Sequence, residues 1–521
     1  MINMEEYKVL ITTSGLGSRL GCLTDKTNKC LVRVTDKPCI SYIVESYDIK
    51  TKFVISLGYY GDHVRQYLKL AYPKHDFTFV DVDVYDGDAA SLGYSILKCK
   101  NELNCPFIFH ASDTIIKNLT IPSFEFNWII GSLKADTSQY RTLIAKDSGL
   151  QKINEKGEMN YDSCYVGVCG IKDYNLFFEH LDRLVYNKKR DISDVHVINE
   201  MLITQSFKYI EISQENWFDV GNVSELNRTR SLFESHINVL DKQGESIFFF
   251  DDFVIKFFSD PSINKKRVER ANVLKNIVPN IIEYSENFYK YKKAVGDTFS
   301  RSINEVNFSQ LLLWTNENLW IRKKDANIKT KCFDFYINKT KSRIEKYLKE
   351  KTNDESLING VEIPSINSLI DKINVDWLCN GTPSVIHGDF ILDNIIESNG
   401  EFCLIDWRED FAGDIFVGDV YYDLAKLNHS LTINHDIIKE KLFSHNKQNC
   451  YILINSKINE CRKLLHKFIE DNGYDIKKVE LLTAIIWINM AALHEYPLND
   501  FLFNFGKYNL YKAIKSYDNN K

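Results

Sequence analysis

Tyr7-Lys8-Val9-Leu10-Ile11-Thr12-Thr13-Ser14-Gly15-Leu16-Gly17-Ser18-Arg19-Leu20 is a short apolar run that breaks at once into a glycine-containing loop closed by an arginine. The run has the length and composition of a buried strand. Outward from it the pattern alternates. Residues 39–47 have helical spacing, 52–58 read as a strand, 61–71 as a helix, 77–84 as a strand, 90–100 as a helix and 106–112 as a strand. Such an order predicts an α/β domain with a mostly parallel sheet and helices on both faces. Ligands of such sheets bind at the carboxyl ends of the strands, where the 14–19 loop lies. Gly15 and Gly17 let the backbone approach a nucleotide and present amides to phosphate oxygens. Arg19 can clamp phosphates. The loop is not the dinucleotide fingerprint, because Leu20 stands where a third glycine is needed.

After residue 120 strands and loops mix, until a helical segment at 224–237 and a polar stretch at 238–246 mark a domain boundary. Residues 246–258 then read as two strands with a turn at Asp251–Asp252, followed by helical spacing at 265–277, 306–320, 339–351, 436–444, 455–472 and 478–494. The expected organisation is a first domain at 1–237 and a second at 246–521. The second has a small strand-rich lobe over about 246–300 and a helical lobe over about 301–521. A chain of 521 residues is too long for one ordinary domain, and 44% hydrophobic with 26% charged residues marks a globular one. A net charge of −6 gives no support to a nucleic-acid surface. No apolar run reaches membrane-span length, no signal peptide is visible at the start, and the twelve cysteines show no C-x-x-C pair. These features predict a cytoplasmic protein without membrane insertion, acting on small molecules and compatible with a homo-oligomer.

Four more features join the first loop. Lys29 follows Arg19 by ten residues; Ser91-Leu92-Gly93 opens a helix; His110-Ala111-Ser112-Asp113 ends a strand; and Trp217-Phe218-Asp219-Val220-Gly221 comes late in the domain. Together they resemble the sugar-phosphate nucleotidyltransferases, whose pattern is G-x-G-(S/T)-R-(L/M)…P-K with a metal-binding aspartate and a W-x-D-(T/V)-G segment. Asn28 replaces the proline of that pattern, which loosens a turn constraint and leaves the lysine in place. The resemblance covers roughly residues 6–235. It implies that Gly15, Gly17, Arg19 and Lys29 handle nucleotide phosphates, that Gly93 lies at the nucleoside, and that Asp113 and Asp219 hold Mg²⁺. Gly167, in Tyr165-Val166-Gly167-Val168, and Lys152 would face the acceptor. The implied donor is CTP or UTP, with GTP and dTTP left open.

The second half contains Val385-Ile386-His387-Gly388-Asp389-Phe390-Ile391-Leu392-Asp393-Asn394, and Asp406 follows Asn394 by twelve residues at the end of an apolar run. This resembles the aminoglycoside phosphotransferase and choline kinase family, H-G-D-x4-N…(I/L)-D-(W/F), over roughly 245–500, and implies a bilobal, protein-kinase-like α+β fold. By that resemblance Asp389 orients or deprotonates the acceptor hydroxyl, while Asn394 and Asp406 hold Mg²⁺ on ATP. His387 is read as a packing residue. Lys256, inside an apolar strand, needs a phosphate or carboxylate partner, and Glu269 on the next helix is the candidate.

A kinase makes a phosphomonoester, and a nucleotidyltransferase consumes one. The chain therefore reads as a bifunctional enzyme. The first reading is an anomeric sugar kinase feeding an NDP-sugar synthase for surface polysaccharide or cell-wall synthesis. A second is a choline- or ethanolamine-type kinase with a cytidylyltransferase, whose cationic substrate would need a cage built from Trp487, Glu495, Tyr496, Phe501 and Phe503. A third is a nucleotide-sensing scaffold with one inactive domain.

Overall fold

The computed structural model describes residues 7–134, 136–158, 160–187, 191–233, 243–351, 354–446 and 449–518. The 238–242 part of the expected boundary and the last residues of the 224–237 helix lie outside them. Two compact units emerge: Met1–Pro261 with Glu283–Lys290, and Ser262–Ile282 with Tyr291–Lys521.

The first unit is built on strands β1 (Lys8–Thr12), β2 (Lys52–Leu57), β3 (Asp76–Asp81), β4 (Phe107–Ala111), β5 (Thr114–Ile116), β6 (Asn127–Ser132), β7 (Thr142–Lys146), β8 (Gly149–Asn154), β9 (Ser163–Ile171), β10 (Phe207–Glu211) and β11 (Trp217–Asp219). Its helices are α1 (Cys39–Glu45), α2 (Gly61–Ala71), α3 (Leu92–Lys98), α4 (Tyr174–Tyr186), α5 (Asp194–Met201) and α6 (Val223–Leu232). Nine strands form one sheet in the order β3-β2-β1-β4-β9-β6-β10-β8-β7. The first four are parallel. Beyond them β9 runs antiparallel to both β4 and β6, so the sheet is mixed where the sequence pattern loosens. In β1, Val9, Leu10 and Ile11 are fully buried, as expected of a strand covered on both faces. Burying each such side chain stabilises by about 1.5–3 kcal/mol.

The same unit includes β12 (Glu245–Phe249) and β13 (Phe253–Phe258), an antiparallel hairpin turned at Asp251–Asp252 as the sequence predicts. Its aromatic residues join the core of the nine-stranded sheet: Phe248 lies 5.1 Å from Tyr67 and Phe257 4.9 Å from His63, both on α2. Gln66 of α2 accepts hydrogen bonds from the Asn287 amide (2.9 Å) and the Ser285 hydroxyl (2.8 Å).

The second unit is mostly helical, with the helices Glu305–Asn318, Lys339–Glu350, Val420–Ser430, Ser456–Asp471 and Ile476–Ala491. Four of these match the helical spacings within two or three residues. The expected helix at 436–444 is shorter, His435–Lys439, and a strand Phe443–Asn446 follows, paired with Asn449–Ile452. The helix ends because Lys441 takes a left-handed conformation and Phe443 is drawn onto Phe501, 4.7 Å away. The long helix Leu498–Asp518 extends past the last helical spacing in the sequence and buries Phe501, Leu502, Phe503 and Leu510. No described helix is long and apolar enough to cross a membrane.

Candidate active sites

The first site forms where β1 and β4 end. The loop after β1 reverses through Gly17, whose φ of +71° suits glycine. A Cβ there would stand 2.7 Å from Lys29 Cβ, so the turn is packed directly on the lysine. Asn28 is fully buried. It donates to the Thr13 carbonyl at 2.7 Å and the Tyr59 carbonyl at 2.6 Å, and accepts from the Cys30 amide at 3.0 Å. The turn constraint expected to be loosened here is instead supplied by three hydrogen bonds. Asn28→Ala would leave the Thr13 carbonyl and the Cys30 amide unmet in the buried turn, at about 1–3 kcal/mol each before relaxation, and the partly buried Tyr59 carbonyl without its partner. Its expected result is a lower thermal unfolding midpoint for this unit together with reduced nucleotidyl transfer, read by calorimetry and pyrophosphate release.

Lys29 Nζ lies 3.1 Å from Asp113 Oδ2, and Arg19 Nη2 lies 3.7 Å from the same oxygen. Asp219 arrives by sheet register: β11 pairs with β5 so that Asp219 faces Thr114, and the Val220 amide donates to the Asp113 carbonyl at 2.9 Å. The three side chains converge over Gly221, where a Cβ would be 3.0 Å from Asp219 Oδ1, 3.1 Å from Asp113 Oδ2 and 3.2 Å from Arg19 Nη2. Asp219 also accepts from the Tyr140 hydroxyl (2.6 Å) and the Gly221 amide (2.7 Å). Burial, and then the Asp113 carboxylate, push Asp219 above the usual carboxylate range. For Asp113 burial works the same way, but Lys29 and Arg19 outweigh it and hold the carboxyl low. An all-oxygen donor pair flanked by cations suits a hard divalent ion shared with substrate phosphates.

Gly167 abuts Ala111 and Thr114, on either side of Ser112-Asp113, so the structure brings it to this site. Gly93 is packed against Ile192, to whose carbonyl its amide donates at 2.8 Å. Gly15 has open space around it. Lys152 lies exposed on β8. Lys156, after β8, has its pKa lowered by partial burial and then by Arg19 and Arg141, with Asp113 and Asp219 opposing. Neither Tyr140 nor Lys156 belongs to a spacing that sequence reading could single out.

In the second site, the 385–394 segment leads into a two-stranded hairpin, Ile395–Ser398 with Glu401–Leu404, turned at Asn399–Gly400. The hairpin returns the chain so that the Ile405 amide donates to the Asn394 carbonyl at 2.8 Å. Asn394 and Asp406 thereby meet at its base although twelve residues separate them. Asp406 has a φ of +57°, a backbone strain of about 1–3 kcal/mol. Asn394 Nδ2 donates to the Asp389 carbonyl at 2.9 Å. His387 is neutral: burial drives its pKa down to about 4. The Asp389 amide donates to its Nδ1 (3.2 Å), and its Nε2 bonds to the Ile405 carbonyl (3.0 Å), so it fixes the loop as expected. Asp423 accepts from the His387 and Gly388 amides at 2.7 and 2.8 Å.

Asp389 keeps 34% of its side chain exposed and pairs with Lys426 Nζ at 2.6 Å. Burial alone would raise its pKa, but Lys426 brings it down to about 2. Asp406 pairs with Arg267 at 2.6 Å. Arg267 belongs to α7 (Pro261–Val273), the helix of Glu269. Glu269 itself is exposed and lies 4.0 Å from Lys265, one helical turn back. Lys256 is buried on β13 opposite Ile247. Lys426 and Arg267 had no motif to announce them, since each arrives from a separate helix.

The two sites define a chain that joins a nucleotidyltransferase-like region to a kinase-like phosphotransferase region. Residues 329–437, which include Asp389, Asn394 and Asp406, match the model of the phosphotransferase enzyme family. Among curated proteins the chain is similar to the bifunctional protein GlmU of Campylobacter lari, 21% identical over 240 residues, covering 44% of this chain and 55% of that protein. It is also similar to the choline-phosphate cytidylyltransferase of Streptococcus pneumoniae, 33% identical over 114 residues, covering 22% of this chain and 47% of that protein. The chain thus spans about half the length of these curated relatives. Among solved structures, the CTP:phosphocholine cytidylyltransferase of Streptococcus pneumoniae aligns over 44% of this chain and 99% of its own, at 21% identity and a TM-score of 0.38.

Proposed function

We propose that the chain phosphorylates a hydroxylated metabolite with ATP and then couples the phosphomonoester to an NTP with release of pyrophosphate. The observation that carries this reading is that each half brings together groups suited to phosphate chemistry: Arg19, Lys29, Asp113 and Asp219 in one, Asp389, Asn394 and Asp406 in the other. Neither set includes a nucleophile, and neither reaction requires one: in-line transfer to an anionic or hydroxyl acceptor is served by positioning and by cations. Mg²⁺, held by Asp113 with Asp219 and by Asn394 with Asp406, would supply charge neutralisation at the phosphates.

In the first half, Lys29 and Arg19 balance the charge brought by triphosphate and phosphomonoester, and Tyr140 keeps Asp219 oriented. In the second, Lys426 keeps Asp389 ionised and fixed, so that the carboxylate orients the acceptor hydroxyl and takes its proton late in the transfer. A sugar acceptor, giving an NDP-sugar for surface polysaccharide, is the reading we favour. The amino-alcohol reading has one observation behind it, the 33% identity to a choline-phosphate cytidylyltransferase. Against it stands the burial of Trp487, Phe501 and Phe503 in the core, away from the 68% exposed face of Tyr496.

The test is mass spectrometry of the purified chain with ATP, Mg²⁺, mixed NTPs and a panel of free sugars, sugar acids, choline and ethanolamine. A nucleoside-diphosphate sugar supports the favoured reading, and a CDP-amino alcohol moves the chain to the second. A nucleotide-bound protein that turns over no acceptor counts for a sensor.

A further inference from the structure

Beside Asp389 the helical lobe gathers cations. Lys426, on Val420–Ser430, holds Asp389 itself. Arg408 follows the Asp406 turn, and its stem lies so close on the His387-Gly388-Asp389 turn that a Cβ on Gly388 would stand 2.6 Å from Arg408 Cβ. The Arg408 guanidinium carbon is 5.0 Å from the centre of the Phe335 ring, and Lys339 Nζ is 4.0 Å from the same centre. Arg343 comes one turn after Lys339 on Lys339–Glu350, on the same helix face. Phe335, Phe411 and Tyr422 pack together beneath them, with Phe335 ring centres 4.4 and 4.8 Å from the other two.

Carboxylates are scarcer here. Asp389 is taken by Lys426, and Glu409 lies 3.5 Å from both Arg408 and Arg267. Among the described residues no carboxylate lies within ion-pair distance of Lys339 or Arg343. Elsewhere in the lobe Lys266 is matched by Asp410, and Lys331 by Asp325 and Asp414. The mismatch shows in Lys339, whose pKa falls to about 7 through burial first and then Arg408, Arg343 and Lys426. Like charges crowded in a partly buried place repel one another until an anion joins them.

We propose that Lys339, Arg343 and Arg408 form an anion subsite for the acceptor next to Asp389, so that the kinase substrate is a hydroxylated acid bearing a carboxylate or phosphate. This rests on the kinase reading above. An amino alcohol would meet repulsion at the same place. The anion could instead be the γ-phosphate of ATP, and the test separates the two sources.

ADP release is measured on the full chain with matched acceptors: glucose and glucuronate; glycerol, glycerate and glycerol phosphate; choline and ethanolamine. The acids should exceed their neutral counterparts in kcat/KM by about tenfold or more, the size of one charge-assisted hydrogen bond. R343Q should raise the KM of the preferred acid by about tenfold with the KM for ATP held within about twofold. Equal or better turnover of neutral sugars or amino alcohols overturns the inference and leaves the kinase reading standing. A rise in the KM for ATP alone also overturns it, by giving the cations to the γ-phosphate. A second measurement needs no turnover. With Mg²⁺ and a non-hydrolysable ATP analogue filling the donor site, inorganic phosphate should raise the unfolding midpoint of the native chain more than that of the K339Q/R343Q double variant. Equal rises overturn the proposal, whereas no ADP from any acceptor counts against the kinase reading itself.

Discussion

Asp389→Ala is expected to lower acceptor-dependent ADP formation by about 10²–10⁴-fold, the range for removing a positioned general base. Pyrophosphate release from a supplied phosphomonoester should stay within about twofold. Asp389 keeps an exposed face while one of its oxygens is tied to Lys426 at 2.6 Å. With its pKa held near 2, it is ionised across the working pH range, so a fall in kinase rate between pH 6 and 4 must come from another group. Asp389→Asn should fail nearly as badly. The amide can still face Asn394, but it neither accepts a proton nor balances Lys426. Coupled and uncoupled assays on the same preparation check this. Equal loss of both activities in Asp389→Ala would contradict two independent sites.

How far the sequence led depended on whether a feature is local. The βαβ alternation at 7–112 carries its own periodicity, and the strands and helices fall there within a few residues of the expectation. The 385–394 loop was legible because its parts are spaced by a turn and a hairpin of fixed size. What stayed hidden is what tertiary structure delivers. Tyr140 reaches Asp219 across 79 residues. Lys426 reaches Asp389 from the helix Val420–Ser430, and Arg267 reaches Asp406 across 139 residues. In the charge-dense 265–270 segment composition could not say which residue turns inward. Helical phase puts Arg267 and Arg270 inside and leaves Glu269 outside. Asn28 shows the converse: a departure from a pattern, read as a loss, becomes a gain of three hydrogen bonds once its neighbours Thr13 and Tyr59 are in place.

Asp113→Ala should have the opposite separation, with nucleotidyl transfer reduced by about 10²–10³-fold or more and kinase activity retained. The carboxylate is the meeting point of Lys29 and Arg19, and its removal leaves two cations facing each other with no anion between them. Its partner in the pair behaves differently towards stability. Asp219 holds its proton more tightly in the folded protein than in the unfolded chain, because burial and Asp113 both oppose its charge. The stability tied to that proton is present at acidic pH and is lost as pH rises through the raised folded pKa. Asp219→Asn keeps the shape and can still face Tyr140 and the Gly221 amide, but it carries no charge to be repelled. Its unfolding midpoint should match the parent at acidic pH and exceed it increasingly as pH rises above the usual carboxylate range, while nucleotidyl transfer is lost. That pairing of gained stability with lost activity is the signature of two carboxylates held together for a ligand they share. A midpoint for Asp219→Asn that falls below the parent at neutral pH would mean that the pair is held together for the fold instead.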